Sequence, residues 1–198
     1  MSLLVESIKL LDGQFCNLFH HEQRMNRSLK MLCGVQANVN LEEFLKSLEV
    51  PVTGLRKCRI VYDDVSMDTE VLAYEIKPIK SLRIIENDRV SYEFKYADRR
   101  SINRLFDLRR NCDDILIVKG GLVTDTSFAN IVFKKGKKWY TPWAPLLKGT
   151  MRSKLLETNR IHEDEIRLKD IYNFESFKLI NAMLEFESPE LSLSNIVF

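Results

Sequence analysis

Lys95 follows Ser91-Tyr92-Glu93-Phe94, and an amine beside aromatic side chains is a candidate for desolvation, which lowers a lysine's pKa and makes it a usable base or nucleophile; taken alone it reads as a surface lysine, since lysines are rarely buried. Asp125 lies in Val123-Thr124-Asp125-Thr126-Ser127-Phe128-Ala129-Asn130, small polar residues that precede an apolar run; taken alone it reads as a turn carboxylate. Gly149-Thr150-Met151-Arg152 has the pattern of a helix start, where a glycine lets an anion approach free N–H groups. His20-His21 could ligate a metal. Adjacent residues on a helix point about 100° apart, however, and with no third ligand nearby they read as a helix-surface pair, so no metal site is expected. The run Lys134-Lys135-Gly136-Lys137-Lys138 reads as a solvated hairpin tip.

The elements that must position these groups follow from hydrophobic periodicity. A strand is expected over residues 6–11, closed by Asp12-Gly13, then a helix over 19–33 with Met25, Leu29 and Leu32 on its inner face and Gly34 as its stop. Asn40 with Glu43 forms a capping-box pattern opening a helix through Phe44 and Leu48. Strands are expected over 55–62, 71–79 and 82–85. Tyr92, Phe94 and Tyr96 alternate with polar residues, which predicts a strand with a buried aromatic face, turning helical over 97–110. Residues 115–118 precede Gly120-Gly121, and 131–133 and 139–141 flank a hairpin turn at Gly136. A helix over 149–159 and a strand over 177–181 complete an α+β chain. The polar stretch 86–91 is read as a linker between a small N-terminal α/β domain, 1–85, and a larger C-terminal domain, 92–198.

Composition excludes several classes. Thirty basic residues against 28 acidic ones give a net charge of +2, too even for a dedicated nucleic-acid binder. No apolar run approaches the ~20 residues that span a bilayer, and the chain does not open on a signal-peptide pattern, so a cytoplasmic location with no membrane partner is expected. The 4 cysteines lack CxxC spacing and read as reduced thiols. GxGxxG and GxxxxGK[ST] are absent, which removes the Rossmann and P-loop readings.

In order, Glu6-Ser7-Ile8-Lys9 with Asp12-Gly13, Leu18-Phe19-His20-His21-Glu22-Gln23-Arg24-Met25, Lys95-Tyr96-Ala97-Asp98-Arg99, Leu122-Val123-Thr124-Asp125 with Ala129-Asn130-Ile131, Tyr140-Thr141-Pro142, Gly149-Thr150-Met151-Arg152 and Asn181-Ala182-Met183 resemble the fold-type IV pyridoxal-phosphate enzymes. These include the class IV aminotransferases and aminodeoxychorismate lyase. The resemblance runs over about residues 6–185 and implies a D-amino-acid-aminotransferase-like fold, with a barrel-like C-terminal domain binding pyridoxal 5'-phosphate. It also implies a homodimer acting on a small-molecule substrate. By that resemblance Lys95 forms the Schiff base and shuttles the substrate's proton, while Arg24 and the N–H groups of Thr150 and Met151 hold the cofactor phosphate. Asp125, with Asn130 beside it, falls where the family's glutamate meets the pyridine nitrogen.

Two departures stand out. Asp125 is one methylene shorter than the family's glutamate, and the strand and loop that normally precede the Glu6 segment are missing, so the N-terminal domain is expected to be reduced. Met151 stands where branched-chain transaminases carry a hydroxyl residue. With the Lys95-to-Arg99 spacing and Asn181-Ala182-Met183, this leans toward the lyase that makes 4-aminobenzoate and pyruvate for folate biosynthesis. An amino-acid transaminase of the branched-chain or D-amino-acid type is the alternative.

Overall fold

The computed structural model describes residues 3–198, which divide into two compact units. One holds the residues up to Ile76 together with Phe94–Asp98; the other holds Lys77–Glu93 and Arg99–Phe198. The division therefore falls elsewhere than the expected linker at 86–91. Residues 82–86 form a strand inside the second unit's sheet, and Lys95 belongs with the first unit.

In the first unit, β1 (Leu4–Leu11), β2 (Gln14–Phe15), β3 (Leu55–Tyr62) and β4 (Met67–Ala73) form an antiparallel sheet in the order β2-β1-β3-β4. Helix α1 (Leu18–Cys33) and the single-turn α2 (Leu41–Leu45) pack against it. The helix ends where Gly34 takes φ 68°, donating its N–H to the Lys30 carbonyl, and Asn40 caps α2 by accepting from the Glu43 N–H. Met25 and Leu29 are buried as expected, but Leu32 is exposed, and Leu48 lies past the end of α2. Strand β4 begins four residues earlier than 71. Asp63 accepts from the N–H groups of Val65 and Ser66, tightening a turn that sets Tyr62 opposite Met67.

The expected aromatic strand over 92–96 is reduced to one bridge, Leu4 to Tyr96, flanked by Val5 N–H to Lys95 carbonyl and Ala97 N–H to Leu3 carbonyl. Phe94 and Tyr96 meet each other edge to face and pack against the first unit's core, whereas Tyr92 belongs to the second unit. Two-residue alternation was thus right about which side is apolar and wrong about a continuous ladder.

The second unit is built on a sheet of β5 (Leu82–Glu86), β6 (Asp114–Lys119), β7 (Leu122–Thr126), β8 (Asn130–Lys135), β9 (Lys138–Pro142), β10 (His162–Asp164), β11 (Ser176–Ile180), β12 (Leu191–Ser192) and β13 (Ile196–Val197). The path runs β10-β9-β8-β7-β6-β5-β13, with β11 paired to both β8 and β12. Gly120 and Gly121, at φ 58° and 74°, make the tight β6–β7 turn that a side chain would strain. Helix α3 (Arg100–Phe106) precedes β6, and α4 (Thr150–Glu157) packs Met151 and Leu155 against Val132 and Ile180. Ile131 and Phe133, on the other face of β8, enter the main core. A strand covered on both faces must be apolar throughout, which is why 131–133 shows no alternation.

Candidate active site

Asp125, expected in a turn, is the fourth residue of β7 and is buried. The turn is the next four residues. Thr126 and Ala129 close it through backbone and side-chain hydrogen bonds, setting Asp125 opposite Asn130 as the cross-strand pair of β7 and β8. Asn130 Nδ2 donates to Asp125 Oδ1 at 2.6 Å and to the Leu147 carbonyl at 2.9 Å, while the Leu147 N–H donates to Oδ2 at 2.9 Å. Burial pushes the Asp125 carboxyl up to about 6, with the Leu147 and Asn130 donors and the charge of Arg152 pulling the other way. Arg152 is itself buried and donates to the Pro142 carbonyl and to Glu163.

Thr150 and Met151 form the first turn of α4, both buried, with Gly149 as a cap that offers no side chain. A helix start, with the positive end of its dipole, is an arrangement that receives an anion. Gly149 is there for room: a Cβ would lie 2.1 Å from Asn130 Oδ1.

Lys95 and Arg24 belong to the first unit. Lys95 is half-buried on the short segment bridged to β1, and its charge is felt by His21. Arg24 and His21 project from α1 to Glu6, whose side chain is fully buried on the inward side of β1. The reading of His20-His21 as a surface pair is therefore wrong for His21, which is buried and bonded through Nδ1 to Glu6 at 2.6 Å. The missed signal was in β1. Leu4, Glu6, Ile8 and Leu10 share one face, so a glutamate among three apolar residues had to be buried and paired. Burial pushes Glu6 up, yet Arg24 and His21 outweigh it and hold the carboxyl at about 2. Burial also lowers His21 against the pull of Glu6.

Among the described residues no His, Cys, Asp or Glu cluster could hold a metal, and no helix is long and apolar enough to cross a membrane.

Residues 73–186, more than half of the chain, match the family described as amino-transferase class IV. The chain belongs to that family. A Haemophilus influenzae protein of no assigned function is 39% identical to this class IV chain over 183 residues, 91% of the chain and 97% of the relative. The crystal structure of a Haemophilus somnus protein named "putative 4-amino-4-deoxychorismate lyase" is 32% identical, covers 94% of this chain and 98% of its own, and superposes with a TM-score of 0.88. A Mycobacterium tuberculosis protein named "a hypothetical aminotransferase", in a PLP-bound form, shares the fold at a TM-score of 0.77 and 15% identity, over 98% of this chain and 81% of its own. The class IV likeness thus bears out the α+β architecture with a larger C-terminal α/β domain.

Proposed function

We propose that this class IV chain is a pyridoxal-phosphate-dependent lyase that converts 4-amino-4-deoxychorismate to 4-aminobenzoate and pyruvate. The observation that carries the reading is the likeness to the Haemophilus somnus protein named for that reaction, which extends over nearly the whole of both chains.

The residues present fit the cofactor. Asp125 is a buried acid already aimed by two donors, and the glycine cap of α4 lets Asn130, which holds that acid, lie against the helix start. When bound, pyridoxal phosphate supplies an aldehyde that takes up the substrate amine and a ring that takes up electrons. In this reading, Arg24 and the N–H groups of Thr150 and Met151 hold the phosphate, while Asn130 keeps Asp125 in place. Asp125, as the carboxylate, retains a proton on the ring nitrogen, and that added positive partner favours ionisation of a group that its surroundings otherwise hold near 6. Lys95 removes the proton from the amine-bearing carbon of the substrate. The bond between the substrate's six-membered ring and its enolpyruvyl oxygen then breaks, a proton returns to the three-carbon fragment, and the substrate ring becomes aromatic. Aromatisation supplies driving force, so the chain must mainly orient the substrate and move protons.

The test is a reaction of the cofactor-supplemented protein with 4-amino-4-deoxychorismate and no keto acid. 4-Aminobenzoate and pyruvate should appear in equal amounts over many turnovers. Turnover of an amino acid that depends on an added keto acid, with no 4-aminobenzoate in the parallel reaction, would overturn the lyase reading in favour of a transaminase.

A further inference from the structure

Glu6 is a fully buried charge of the first unit that the proposed chemistry does not use. An isolated carboxylate at this depth would take up a proton rather than stay charged. Here both oxygens are met from α1. Oε1 accepts from Arg24 Nε at 2.8 Å, and Oε2 accepts from Arg24 Nη2 at 2.5 Å and shares a hydrogen bond of 2.6 Å with His21 Nδ1. His21 and Arg24 are three residues apart, the spacing that puts two side chains over one face of a helix.

Two consequences follow. An ionised carboxylate only accepts, so the proton of the Glu6–His21 bond sits on His21 Nδ1, and Nε2 of the neutral ring is an acceptor. A guanidinium has two bidentate edges, and Glu6 takes the side-on edge formed by Nε and Nη2. That contact fixes the plane of Arg24, and with it the direction in which the guanidinium can meet an oxyanion.

We propose that Glu6 is a positioning residue that orients Arg24 toward the phosphate of the cofactor, and that it acts on cofactor affinity only through Arg24. The proposal rests on the reading of Arg24 as a phosphate ligand. A purely structural role would behave differently, because breaking a buried ion pair destabilises the unit but would not distinguish a phosphorylated ligand from an unphosphorylated one.

The experiment titrates the apo protein with pyridoxal phosphate and with pyridoxal, following absorbance, for the parent, Glu6→Gln, Arg24→Ala and the double variant. Glu6→Gln keeps the shape and replaces the charge. It should weaken pyridoxal phosphate about tenfold, the scale of converting one charge-assisted contact to a neutral one, and change pyridoxal less than twofold. In the Arg24→Ala background it should have no further effect. Glu6→Asp, whose shorter arm cannot meet both partners at these distances, should fall between parent and Glu6→Gln, and serves if the glutamine variant does not fold. Equal losses for pyridoxal and its phosphate, or additive losses in the double variant, would overturn the positioning role. So would unchanged affinity in the Glu6 variants while Arg24→Ala weakens binding. An Arg24→Ala protein that binds pyridoxal phosphate like the parent would instead overturn the assignment of Arg24 itself.

Discussion

Replacing Gly149 with alanine isolates one contact. Its backbone sits at φ −69° and ψ 148°, a conformation alanine adopts freely, so the cost is steric and arises at one atom. The new Cβ would lie 2.1 Å from Asn130 Oδ1, where contacts under 3.0 Å are essentially never found. Asn130 must retreat, but its Nδ2 is tied to Asp125 at 2.6 Å and to the Leu147 carbonyl at 2.9 Å. Either the core strains or these bonds break, and both routes cost about 1–3 kcal/mol. For a chain of this size that corresponds to a melting point lowered by about 2–12 °C. Calorimetry of the apo protein reads the shift directly. The same substitution in an Asn130→Ala background, where Oδ1 is gone, should cost at most about 0.5 kcal/mol. Parent-like melting of Gly149→Ala, or additive losses in the double variant, would refute the reasoning.

Lys95→Ala should abolish turnover while cofactor still binds weakly, and borohydride treatment of the loaded parent should leave the pyridoxyl group on Lys95 in a peptide map; another lysine there would displace the assignment. Asp125→Asn should retain cofactor but slow turnover by about 10²-fold or more, read by 4-aminobenzoate formation. Because burial raises the folded-state pKa of Asp125 to about 6, above its ordinary value near 3.8, the native protein binds the extra proton between those values. Its stability therefore falls as pH rises through that window. Melting of the apo parent relative to Asp125→Asn should accordingly improve as pH is lowered from 7 toward 4; a difference independent of pH would contradict it.

What the sequence made legible is what short stretches of chain decide. Gly34 as a helix stop, Asn40 as a cap and the turns at Gly120-Gly121 and Gly136 each depend on a few neighbouring residues. The Glu6 cluster escaped because its partners lie 15 and 18 residues away. Only the alternation within β1 hinted at a buried acid. Asp125 was misread for a related reason. Aspartate is a poor strand former and a good turn former, and its place in β7 is held by Asn130 across the hairpin and Leu147 far along the chain. The segment around Lys95 shows the limit of periodicity: alternating aromatics pack well without a neighbouring strand to form a ladder.

The two oxygens of Asp125 answer to different parts of the second unit. Oδ1 is held by Asn130 at the head of β8, a strand paired on both edges and covered on both faces, whose amides should be among the slowest to exchange with solvent. Oδ2 is held by the amide of Leu147, in the irregular stretch between β9 and α4. One donor thus springs from the framework, though its amide also reaches the Leu147 carbonyl, and the other belongs wholly to the connection. Whatever shifts that connection changes the donors on the carboxylate without moving the strand beneath it. The proton affinity of Asp125 is therefore tied to the conformation of residues 143–149, and the acid strength of this position can be retuned by sequence changes there that leave Asp125 and Asn130 untouched.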